Sequence, residues 1–166
     1  MRVAQYFLGL LVALFIVVTV VPLPAQAASS AAIRAYDDVK ANTKDYSGQS
    51  LIEAEFSNAR LEGANFSNAD LRGAVFNGAN LRKANLHGAN FGDGIAYLTN
   101  LAETDLSDAI LSSAMLLQSN LRGAIVTNAD FSGAILDREQ QLSLCKTASG
   151  VNSVTGVDTR ESLECP

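Results

Sequence analysis

The chain is poor in the residues that build most catalytic, metal-binding and nucleic-acid-binding sites. It holds one histidine, His87, two cysteines, Cys145 and Cys165, and three prolines among 166 residues. A lone histidine far in sequence from both cysteines argues against a zinc site. No phosphate-binding glycine loop and no cluster of metal ligands is present, so no cofactor is expected. Basic charge is also short: 12 Lys and Arg stand against 17 Asp and Glu, for a net charge of −5. A phosphate backbone needs a cationic counter-surface, so nucleic acid is not an expected partner. The prolines, Pro22, Pro24 and Pro166, all lie near the ends. The stretch between them can therefore form a hydrogen-bonded ladder that no missing N–H interrupts.

The one long apolar run lies between Tyr6 and Val21. Arg2 precedes it, and Pro22, Pro24 and the small-residue signature Ala25-Gln26-Ala27 follow. This is the three-part pattern of a secretory signal peptide, with cleavage expected between Ala27 and Ala28. An uncleaved anchor is the alternative, but the run is shorter than the roughly 20 apolar residues that span a bilayer. No stable membrane insertion is expected after cleavage. Removing Arg2 with the signal leaves 11 Lys and Arg against 17 Asp and Glu, a net charge of −6. In an exported protein Cys145 and Cys165 read as a structural disulfide rather than as two free thiols.

What dominates the sequence is a five-residue repeat. Of the 18 positions taken every fifth residue from Leu51 to Leu136, 16 are Leu or Phe, the exceptions being Ala96 and Val126. Two residues before each, from position 54 on, the side chain is small: mostly Ala, with Gly94, Thr99, Thr104 and Ser119 as departures. Steps of about 100° per residue would scatter these large residues around an α-helix. On a straight strand, an odd period would send them to alternate faces. Small and large residues two apart do share one side of a short extended segment. If the chain then turns a corner, every unit points the same pair inward, and successive coils can stack at the strand spacing of about 4.8 Å. The Asn, Asp, Ser and Gly at the remaining positions suit corners.

This pattern, seen in ANFSNADLRGAVFNGANLRKANLHGANF, resembles the pentapeptide-repeat family. The resemblance implies an all-β solenoid, a right-handed quadrilateral β-helix with four repeats per coil, here about four and a half coils. It departs from the family pattern at Gly92-Asp93-Gly94-Ile95-Ala96, where a bulge or a thinner core is expected. Exposed coil ends need caps. Ser30 to Lys40 has helical composition, with Ile33, Tyr36 and Val39 on one face. Asp137 with Gln140 three residues on reads as a helix start, running through Leu142 to Cys145, and 159–163 reads as a last helical turn. The organisation expected is a signal at 1–27, an N-terminal helical cap at 28–48, the repeat at 49–136 and a disulfide-closed tail at 137–166. As a set, these parts resemble small lumenal pentapeptide-repeat proteins of cyanobacterial and chloroplast thylakoids, the segment TASGVNSVTGVDTRESLEC most of all. The resemblance implies the thylakoid lumen, with the periplasm as the alternative. Without a chloroplast transit region before the signal, a cyanobacterial source is expected.

Catalysis needs convergent groups in a pocket, and a solid rod offers none, so no enzyme is expected. His87 should point outward, and Asp70, Asp105 and Asp130 should fall on different sides or distant coils. Asn65-Phe66-Ser67 matches a glycosylation acceptor only through the logic of the repeat. The outward columns, read every 20 residues, are more informative. Glu55, Val75, Ile95, Met115 and Ile135 form one column, and Tyr97, Leu98 and Leu117 extend it. The expectation is either a contiguous apolar surface for a protein partner or cover by a terminal segment. Arg60, Asn80, Asn100 and Asn120 form a second column, expected to be a structural amide ladder. A protein-binding scaffold is the function expected. A disulfide-based redox protein is the alternative, and a DNA mimic acting on a topoisomerase is disfavoured by the export signal.

Overall fold

The computed structural model describes residues 44–166 of the chain. The predicted signal peptide, the predicted cleavage between Ala27 and Ala28 and the predicted helix Ser30 to Lys40 lie outside the described residues. From Asp45 onward every fifth residue pairs in parallel with the residue 20 further on, from Asp45 with Asn65 to Met115 with Ile135. The chain thus returns above itself every fourth unit, and four columns of bridges run up a four-sided coil. The ladder is regular: Tyr46 N–H donates to the Asn65 carbonyl at 2.7 Å, and Asn65 N–H donates back to the Lys44 carbonyl at 2.9 Å.

Each corner but one is a tight turn closed from the large residue to the small one, as when Ala69 N–H donates to the Phe66 carbonyl at 3.0 Å; at the exception, after Ala96, Thr99 N–H donates instead to Ser119 Oγ at 2.9 Å. The turn needs a left-handed residue two places after the large one, and φ is positive there at every corner from Gly48 to Gly133. Glycine, asparagine and aspartate hold that conformation at little cost. Glu53, Lys83, Leu98, Glu103, Ser113 and Gln118 hold it too, so the corners follow the ladder even where local preference opposes them. The residue before the large one reinforces the turn, its side-chain oxygen accepting from the N–H two places on. Asn85 does so for His87 at 2.9 Å, and Asp130 for Ser132 at 2.8 Å.

The large and small residues fill the interior: Phe66, Leu71, Leu116, Ala64 and Ala114 are fully buried. Aromatic rings stack along the axis, Phe56 on Phe76 and Tyr46 on Phe66, each at 4.7 Å between centroids. Tyr46 moves the start of the coil. Residues 45–48 of the predicted N-terminal cap are already coil, because the Tyr46 ring occupies an inward place that the Leu/Phe count, begun at Leu51, does not reach. The inward hydroxyls are satisfied by backbone carbonyls: Thr99 Oγ1 donates to Phe76 at 2.7 Å and Thr104 Oγ1 to Leu81 at 3.0 Å.

The predicted bulge at Gly92 to Ala96 is absent. The bridges Val75–Ile95–Met115 pass through it in register. The Phe91 ring lies so close to Gly94 that any Cβ there would overlap it, and Phe91 and Ala96 line one core void. This void is about 10 Å³, at the lower limit for one water.

After Ile135 the chain leaves the coil. Helix α1, Arg138–Leu144, starts where Gln140 Oε1 accepts from the Asp137 N–H at 2.6 Å. The Asp137 carboxylate reaches back to accept from the Gln118 N–H at 2.8 Å. Helix α2, Thr159–Ser162, is capped by Asp158, which accepts from the N–H groups of Arg160 and Glu161. Between them Val151 pairs antiparallel with Asp158. The tail is fastened to the last coil by Leu144 and Leu163, both buried in the core cluster. Asn152 fastens it too: its amide donates to the carbonyls of Asp108 at 3.1 Å and Asn128 at 2.9 Å. Cys145 and Cys165 form the disulfide that ties the end of α1 to the end of the chain.

Candidate functional site

Apart from a surface cluster in which His87 Nδ1 lies 3.7 Å from Asp108 Oδ2 and beside Ser107, the predicted polar groups among the described residues do not converge. His87 is exposed; its Nδ1 lies 2.9 Å from Ser107 Oγ, which in turn donates to Asp105 Oδ1 at 2.6 Å. This chain of contacts lies on a convex surface and repeats the corner hydrogen bond of the coil. Asp70 and Asp130 share one column with Asn90 and Ile110 between them, and Asp105 lies on another. Asn65 accepts from Ser67 N–H and donates to Asp45 Oδ1 at 3.0 Å, a structural role. The predicted amide ladder is present: Asn100 Nδ2 donates to Asn80 Oδ1 at 3.1 Å. No group of His, Cys, Asp and Glu among the described residues could hold a metal ion.

Charged pairs lie on the corners. Arg72 meets Asp70 at 2.7 Å, and Arg82 meets Glu103 at 2.6 Å. The guanidinium hydrogen bonds hold both carboxyls below their ordinary range. Both pairs are solvated and contribute little to stability.

One side of the coil differs from the rest. Val75, Ile95, Met115 and Ile135 stack in one column by consecutive bridges. The corner beside them carries Tyr97 at 37% exposure and Leu98 at 56%, and Ile135 is 47% exposed. Leu117, on the same corner one coil further on, is half-buried. Tyr97 Oη donates to Gln118 Oε1 at 3.0 Å, which holds the ring on the surface. An apolar residue in this column cannot accept the hydrogen bond that Asn or Asp provides elsewhere. Among the described residues no partner meets the N–H of Asn77 or Leu117, and that of Tyr97 turns to Asn77 Oδ1 at 3.2 Å. Each missing bond forgoes about 1 kcal/mol of turn stability. Leu98 adds the strain of a left-handed leucine at φ 56°. The same side therefore combines exposed apolar area, weakened turns and strain. The hydrophobic pattern alone carries the first of these. The second and third follow only from the corner geometry.

Among the described residues, a coil of stacked five-residue units defines a solenoid. A family model described as pentapeptide repeats matches eight copies over residues 47–93 and 99–138. The chain belongs to the pentapeptide-repeat family. The match is interrupted between 93 and 99, around Ile95, Tyr97 and Leu98. A 42-residue stretch is 55% identical to the Arabidopsis thaliana protein "Thylakoid lumenal protein TL20.3, chloroplastic", covering 25% of this chain and 15% of that protein. A 40-residue stretch is 48% identical to the Arabidopsis "Thylakoid lumenal 15 kDa protein 1, chloroplastic", covering 24% and 18%. The chain thus spans less than a fifth of the length of these curated relatives. Among solved structures, a pentapeptide repeat protein from the Arabidopsis thaliana thylakoid lumen is 31% identical over 72% of this chain and 90% of its own, with a TM-score of 0.30. A pentapeptide repeat protein from Nostoc Pcc 7120 is 30% identical over 72% and 92%, with a TM-score of 0.36.

Proposed function

We propose that this protein is a non-enzymatic scaffold of the thylakoid lumen that binds a protein partner through the side formed by Val75, Ile95, Tyr97, Leu98, Met115, Leu117 and Ile135. One observation carries the reading: Val75, Ile95 and Met115 follow one another in this column without the corner hydrogen bond that Asn and Asp supply at most other positions, whereas Ile110 and Ile125 stand singly on their sides, and apolar area is exposed in its place. Contiguous apolar area at that cost favours a surface that a partner covers. The lumenal relatives support the lumen over the periplasm. In this reading the coil is right-handed, of about four to five turns, and α1 and α2 cap part of its last coil.

The test is crosslinking and capture from a lumenal extract, comparing the unaltered chain with Ile95→Asp and Leu117→Asp. The expected result is loss of the captured partner from both variants, with unchanged far-ultraviolet circular dichroism. Capture of the same partners by both variants would assign the interaction to another surface.

A further inference from the structure

The two ends of a stacked coil expose backbone that the next coil would otherwise pair, and the tail covers the last coil unevenly. Over the side after Asn128, Asn128 N–H donates to the Ser149 carbonyl at 2.8 Å, and Phe131 N–H donates to Ser162 Oγ at 3.1 Å. Over the side around Asn120, Gln140 Nε2 donates to the carbonyls of Leu116 and Ser119. Between these points the edge is open. Among the described residues nothing pairs with the N–H groups of Leu121, Gly123 and Val126 or with the carbonyl of Ala124. In every earlier coil the equivalent groups are taken. The N–H of Leu106, in the place of Val126, donates to the Ile125 carbonyl at 2.8 Å. The carbonyl of Thr104, in the place of Ala124, accepts from Ile125 N–H at 3.0 Å.

A groove of about 360 Å³ separates this edge from the end of α1, lined by Leu121, Ala124, Ile125, Val126, Leu144 and Lys146. Ile125, the last residue of its bridge column, is 51% exposed. Neither Lys146 nor the nearby exposed Arg122 has an ion-pair partner among the described residues.

We propose that this edge is a second binding site, which takes an extended, acidic polypeptide segment of a partner as one further parallel strand above Ile125. The ladder dictates the chemistry. A donor at Val126 and an acceptor at Ala124 recognise the C=O and N–H of a single incoming residue, as in strand addition at sheet edges. The two neighbours of that residue point inward onto Leu144 and Val126, so they are small. Its own side chain stands over Ile125 and is apolar. Arg122 and Lys146 favour acidic residues on either side. The site is separate from the apolar side proposed above and uses backbone rather than side chains.

The probe is an acetylated, amidated pentapeptide reading aspartate, alanine, valine, alanine, aspartate, added to the chain isolated after export and followed by amide NMR and hydrogen exchange. Expected are shifts confined to the edge around Ala124 and Val126 and slowed exchange of the Val126 amide. A peptide N-methylated at valine loses its donor and binds about tenfold more weakly. Arg122→Glu combined with Lys146→Glu weakens binding by a similar factor of about ten, whereas Ile95→Asp leaves it unchanged. Equal binding of the N-methylated peptide overturns the proposal, as do shifts centred on Ile95 and Leu117. A Val126 amide protected without peptide also overturns it. In a dimer by sedimentation that protection assigns the edge to a second copy, and in a monomer to the chain's own N-terminal residues.

Discussion

Leu98 holds φ 56° on a corner where its equivalents one coil below and two coils below are Gly78 and Asn58. Replacing it with glycine removes the left-handed strain, which outweighs the added freedom of the unfolded chain, so Leu98→Gly raises stability by up to about 1 kcal/mol. Urea unfolding checks this, and the same variant captures less partner, since the exposed leucine is lost. Gly94 behaves oppositely. Its φ is ordinary, but the Phe91 ring occupies the space a methyl would need. Gly94→Ala therefore lowers stability by about 1–3 kcal/mol by overpacking, read by the same unfolding measurement. Gly94 was legible in the sequence only as a departure from Ala. Its reason, the Phe91 ring packed against it, depends on a contact that the repeat pattern does not encode.

At the scale of elements, the tail is held by a few specific groups rather than by a ladder. Asn152 is almost fully buried; its amide donates to coil carbonyls while its Oδ1 accepts from Val154 and Thr155 N–H groups. Asn152→Ala leaves these partners unmet and costs about 2–3 kcal/mol in tail docking. Limited proteolysis checks it, with cleavage near the exposed Val154 accelerating while the coil stays resistant. The Cys145–Cys165 bridge, with a sequence separation of 20, constrains the same segment by about 3 kcal/mol in the chain-entropy model. The helix start at Asp137 was legible because capping follows local rules; the cap Asp158 supplies to the predicted turn at 159–163 emerged only in the structure. The role of Asn152 was not legible either, since a polar residue in a Gly- and Ser-rich loop reads as solvent-facing until the coil beneath it is known.

At the scale of the molecule, stability is a sum over neighbouring coils, and surface charge adds a small, pH-dependent part. The carboxyls of Asp70 and Glu103 lie below their ordinary range in the folded chain, through hydrogen bonds from Arg72 and Arg82. A depressed carboxyl contributes stability above its unfolded pKa and loses it as pH falls through the folded value. Stability is therefore flat from neutral pH down to the ordinary carboxylate range, then falls below about pH 4. Melting temperatures across that range check this, with a smaller fall in high salt because both pairs are exposed.

The five-residue period determined the coil by itself. No other backbone path buries Leu or Phe at every fifth position; the 20-residue return is seen in the parallel bridges of the structure. With the four units per coil that the pentapeptide-repeat resemblance implies, the columns on the outer sides could be aligned too, Val75, Ile95, Met115 and Ile135 among them. Only the tertiary structure decided that Tyr46 already belongs to the coil, that the Phe91 ring packs against Gly94, and that the tail leaves backbone groups of Leu121, Gly123, Ala124 and Val126 unpaired. Each of these depends on how volume and hydrogen bonds are shared between segments distant in sequence, and a periodic pattern carries no record of that sharing.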